Sequence, residues 1–88
     1  VMEIIAVFAS RTHTMQFVRC MRASGASATV INTPRQIMSS CGVSAVFRAG
    51  AISVARRCIT MGRFTSFKGF YQKIVMNNTT HYVVVKNV

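Results

Sequence analysis

The stretch Pro34-Arg35-Gln36-Ile37-Met38-Ser39-Ser40-Cys41-Gly42 sets one thiol among polar residues. Gly42 lets the backbone turn tightly beside the sulfur and leaves it approachable from solvent. A thiol attacks as its thiolate, and guanidinium groups favour that form. Arg35 in the same connection and Arg48 at the end of the following segment are the cations placed to act, and Ser39 and Ser40 add hydroxyl donors. The chemistry such a group supports is sulfur nucleophilicity and exchange at a sulfur–sulfur bond. The opposing reading makes Cys41 the first residue of a strand, a small buried hydrophobe, because unpaired cysteines are among the most buried residue types.

Other chemistries lack their residues. Catalysis by paired carboxylates needs two acids, and the chain holds one, Glu3. His13 and His81 are far apart, and neither is spaced with a cysteine or a second histidine as a metal ligand would be. No glycine-rich phosphate-binding element is present. No metal, cofactor or acid–base active site is therefore expected. Cys20, Cys41 and Cys58 are odd in number and widely spaced, which suits neither a disulfide framework nor a zinc site. Reduced thiols are the expectation, with Cys20 and Cys58 in the core on helix stripes. The start, Val1-Met2-Glu3-Ile4-Ile5, lacks the basic region of a secretory signal, and no stretch of ~20 apolar residues occurs. The chain reads as cytoplasmic, without a membrane span.

The elements that must position the thiol follow from periodicity. Residues 3 to 9 are apolar on both alternating faces, as in a central strand. From Thr12 to Ser24 the spacing Thr14, Phe17, Val18, Met21 is helical, with Ser10 or Thr12 as N-cap and Gly25 just past the end. Ala28 to Thr33 is a second strand ended by Pro34, and Val43 to Arg48 alternates as a third. A second helix carries the stripe Ile52, Ala55, Ile59 with Cys58 alongside, and Gly62 closes it. Phe64 to Val75 is a fourth strand, bent or bulged at Gly69, and Tyr82 to Val85 could return as a fifth after the turn at Asn77-Asn78.

The order is that of an α+β, ferredoxin-like βαββαβ domain over residues 1–75, an antiparallel sheet with two helices on one face. Residues 76–88 form a C-terminal extension. Strand one would show Ile, Val or Phe on the face without helices. Such a patch exceeds what monomers usually expose, so a homo-oligomer through that face is expected.

The segment Ile4-Ile5-Ala6-Val7-Phe8 followed by a helix, together with Pro34-Arg35 and Ser39-Ser40-Cys41-Gly42 between two strands, resembles the small bacterial selenium/sulfur-carrier-protein-like family. The resemblance covers residues 3 to about 75. It implies that Cys41 carries sulfur or selenium as a persulfide or selenosulfide, with Pro34, Arg35, Ser39, Ser40 and Gly42 as its setting. The partners it implies are donor and acceptor proteins, and the protein would be a thiol carrier rather than a turnover enzyme.

Two other functions compete. Eleven Lys and Arg against one acid give a net charge of +10, which favours an anionic partner. Phe64, Phe67, Lys68, Gly69, Phe70 and Tyr71 faintly resemble an RNA-binding strand, so a basic nucleic-acid-binding module is one alternative, with core packing as the plainer account of those rings. A non-catalytic structural or regulatory dimer is the other.

Overall fold

A computed structural model describes residues 2–37 and 42–85 of the 88-residue chain. The chain runs β1 (Glu3–Phe8), α1 (Arg11–Ala23), β2 (Thr29–Asn32), β3 (Val43–Arg48), a short 3-10 turn (Ala49–Ala51), α2 (Ile52–Gly62), β4 (Phe67–Met76) and β5 (Thr79–Val84). The five strands form one antiparallel sheet in the order β2-β3-β1-β4-β5, so the architecture is α+β with two helices. β1 lies at the centre, as its two apolar faces require.

Helix α1 forms where the periodicity places it. Ser10 is its N-cap and accepts from the His13 amide at 3.2 Å. The buried stripe is Thr14, Phe17, Val18 and Met21, and Gly25, just past the end, takes the left-handed conformation at φ +87°. Helix α2 ends differently from the expectation. The left-handed residue that closes it is Arg63 (φ 49°), not Gly62. Gly62 has another reason to be glycine: a Cβ there would overlap the ring of Phe64, which folds back onto the helix.

Alternation sends Ile4, Ala6 and Phe8 of β1, Ala45 and Phe47 of β3, and Phe70 of β4 toward the helices, where they meet Phe17, Val18, Met21, Ala55 and Cys58. Phe64 and Phe67 join this layer, with ring centroids 5.4 and 5.3 Å from Phe8, and Phe67 lies 5.0 Å from Phe70. Three of the rings offered as an RNA-binding set therefore belong to the core. The register of β1 and β4 shifts at Gly69 (φ +137°), where Phe8 pairs with Phe67 and Val7 with Gly69, leaving Lys68 as the inserted residue.

Two sequence expectations need correction. Cys20 and Cys58 are joined as a disulfide across α1 and α2, so these two are not reduced thiols. They lie 38 positions apart, but each sits on the side of its helix that faces the other, and their Cα atoms are 5.9 Å apart, within bridging range. The apolar patch expected on the helix-free face of β1 is also missing. Ile5 and Val7 are 2% and 1% exposed within a single chain, because β1 is flanked on both sides and Ile5 lies between Val46 and Tyr71. The aliphatic surface of that face lies instead on the hairpin, where Val75 and Val84 are 63% and 50% exposed.

The fifth strand starts earlier than expected and pairs along β4 from Tyr71–Val84 to Met76–Thr79. Asn77 and Asn78, both at positive φ (51° and 63°), make the two-residue hairpin turn whose twist suits antiparallel strands.

Candidate functional site

The connection between β2 and β3 is held at its two feet. The Thr33 amide donates to the Gly42 carbonyl at 2.9 Å, adding one rung beyond the paired Asn32 and Val43. The hydroxyls of Thr33 and Ser44 lie 2.6 Å apart and are buried. In the loop itself, the Ile37 amide donates to the Pro34 carbonyl at 3.0 Å, closing a turn with Arg35 and Gln36 as its central residues. Ser39, Ser40 and Cys41 lie outside the described residues.

Helix α1 anchors the same place. Thr14, fully buried in the first turn, donates through Oγ1 to the Val43 carbonyl at 3.1 Å. The loop's second foot is thus tied to the N-terminal turn of a helix that has no acid there and carries Arg11. Unpaired N–H groups at a helix start give a partial positive charge, so this end of the sheet favours an anion. A second cluster fixes the helix start. Ser66 Oγ accepts from the Ser10 amide at 3.1 Å and lies 2.7 Å from His13 Nδ1, while the Ala9 amide donates to the Ser66 carbonyl at 2.9 Å. His13 is half-buried against Phe64, with ring centroids 5.4 Å apart.

The sequence-predicted residues separate. Pro34 and Gly42 stand at the loop's feet, and Arg35 is exposed in its turn. Gly42 does not need a glycine's freedom: it is not at positive φ, and an added Cβ would meet Thr33 Oγ1 at an ordinary 3.6 Å. Arg48 lies at the other end of β3, six residues on and hence ~20 Å along the strand. There it pairs in register with Glu3 and lines a cavity of about 560 Å³ with Ser24, Ser27, Gly50 and Val54. The structure brings Arg35, not Arg48, to the thiol's connection. Thr33, Ser44 and Ser66 do not stand out in the sequence, and Thr14 does so only as part of the α1 stripe. Their partners lie 11 to 56 positions away, so no local pattern marks them.

Residues 3–72 match the family described as "Putative Se/S carrier protein-like". The chain belongs to this family. The matched span of the Se/S-carrier-like chain runs from β1 into β4 and includes the whole β2–β3 connection, and it stops before β5. No curated protein and no solved structure matches the Se/S-carrier-like chain. Among the described residues no group of three metal-ligating side chains comes together, and no helix is long and apolar enough to cross a membrane.

Proposed function

We propose that this protein carries sulfane sulfur or selenium on Cys41. Family membership over residues 3–72 is the observation that carries the reading. Three features support it. With Cys20 and Cys58 joined to each other, Cys41 is the one cysteine of the three outside that bridge. In the sequence it stands two residues before Val43, whose carbonyl is bonded to the first turn of α1. Arg11, Arg35 and the start of α1 supply positive charge to that end of the sheet, which favours a thiolate.

The step is an exchange without net oxidation. The Cys41 thiolate attacks the terminal sulfur of a donor persulfide, the new S–S bond forms as the donor's S–S bond breaks, and the donor leaves as its thiolate. An acceptor nucleophile takes the terminal sulfur from the Cys41 adduct in the same way and returns the thiolate. Selenium follows the same route as a selenosulfide. The partners are the donor and acceptor proteins, and no cofactor enters.

The strand order, with one helix in each crossover, supports a ferredoxin-like reading of residues 1–75, with β5 added at the β4 edge. The loop then occupies the link between the second and third strands, at the end of the sheet where α1 begins.

The test is incubation of the native protein with a persulfide donor, followed by mass mapping of intact adducts. A mass gain of one sulfur at Cys41, lost in Cys41→Ser, is the expected result. Labelling that spares Cys41, or persists in Cys41→Ser, overturns the proposal.

A further inference from the structure

We propose that the helix-free face of the sheet binds single-stranded nucleic acid, with Tyr71 and Tyr82 as stacking platforms and Lys73 between them. This site is separate from Cys41 and does not depend on the carrier reading.

Alternation fixes the composition of that face. Ile5 pairs with Tyr71, and β4 pairs with β5 through Tyr71–Val84 and Lys73–Tyr82, so Tyr71, Lys73, Tyr82 and Val84 share the side away from the helices. The two tyrosines are diagonal neighbours across the hairpin, ~7–8 Å apart at the backbone. Both are half-buried, supported by neighbours yet open on one side. With Phe64, Phe67 and Phe70 turned into the core, this pair holds the aromatic surface that remains on the sheet.

Charge decides the occupant. The chain carries +10, and its single acid, Glu3, lies on this same face in a row between Arg48, its register partner, and Lys73, whose Nζ is 3.9 Å away. That row is net positive. Arg11, Arg19, Arg22, Arg57 and Arg63 are exposed elsewhere on the body and extend the field. A second copy of the chain would bring another +10 against this one; Ile5 and Val7 are already shielded, and the exposed aliphatics it would cover are Val75 and Val84 on the hairpin. An acidic peptide answers the charge but offers no planar bases to the two rings. A single strand of RNA or DNA supplies both, phosphates for the cations and bases for the tyrosines.

The experiment uses the 88-residue chain and a fluorescent oligouridine of about twelve nucleotides, a length in the range one such face covers. Anisotropy is followed over a series of salt concentrations. Expected are binding that weakens steeply with salt, a loss of about tenfold in affinity for Tyr71→Ala and for Tyr82→Ala, retention in Tyr71→Phe and Tyr82→Phe, and no change in Cys41→Ser. Tyr82, on the edge strand, decides the matter should Tyr71→Ala fail to fold. Three outcomes overturn the proposal: tyrosine-to-alanine variants that bind as the parent does while Arg19→Ser with Arg57→Ser loses binding, polyglutamate that displaces the RNA at equal charge, or a dimer in sedimentation that Tyr82→Ala dissolves.

Discussion

The hydroxyls of Thr33 and Ser44 meet 2.6 Å apart in a buried position at the feet of the connection between β2 and β3. One hydroxyl donates and the other accepts, so each satisfies its partner where water does not reach. The pair joins the last residue before the loop to the second residue of β3, and with the Thr33–Gly42 backbone bond it sets the spacing of the loop's feet.

Removing one member should therefore cost more than removing both. Thr33→Val or Ser44→Ala leaves a buried hydroxyl without its partner and is expected to lower stability by about 1–3 kcal/mol, whereas the double variant should fall short of the sum of the two. Urea unfolding of the four proteins measures the coupling. Strict additivity would mean that the pair is not a bond in solution.

The Cys20–Cys58 bridge joins positions 38 apart in the sequence. Replacing both by serine should lower stability by roughly 2–4 kcal/mol, chiefly by freeing the unfolded chain. Persulfide loading of Cys41 at a temperature where the variant stays folded should be preserved. Peptide mapping without reductant should recover the linked pair, and two free thiols at these positions would refute the bridge.

Gly62 and Gly42 should respond oppositely to alanine. At Gly62 the new methyl meets the Phe64 ring, which packs on Phe8 and Phe17, so Gly62→Ala is expected to cost about 1–3 kcal/mol despite alanine's better helix propensity. Gly42→Ala adds a contact at 3.6 Å and should leave the melting temperature within about 3 °C of the parent. Thermal melts of both variants settle the comparison.

The hairpin turn gives a further test. Asn78 sits at φ 63°, where a β-branched side chain is strained, so Asn78→Val should destabilise by about 1–2 kcal/mol while Asn78→Gly should be neutral or stabilising. Denaturant midpoints for the two variants are expected to fall on opposite sides of the parent, or at the parent's value for glycine.

Much of this fold was legible because local chemistry and tertiary packing agree. The α1 stripe, the span of β3 and the glycine after α1 follow from periodicity and capping alone, and the structure buries the four stripe residues that the spacing picks out. Errors arose where an outcome depends on two distant segments. Cys20 and Cys58 read as separate core residues because only the packing of α1 on α2 brings them together. Gly62 read as a helix terminator because the return of Phe64 over it is invisible in the sequence. Strand one read as exposed on its second face because shielding by the flanking Val46 and Tyr71 is a property of the sheet. For the site, the loop and its thiol stood out from residue types, but its supports, Thr14 and Ser44, make bonds that no local motif encodes.

The covalent tie between the two helices also governs how the protein can be handled. Any dithiol strong enough to strip an adduct from Cys41 also attacks that tie, so preparing a clean acceptor and keeping the fold intact pull in opposite directions. Cys58 is 1% exposed but Cys20 is only half-buried, so a thiolate reaches the bridge from the α1 side. Every loading experiment on Cys41 therefore needs a check, after any reductant, that the helices are still fastened.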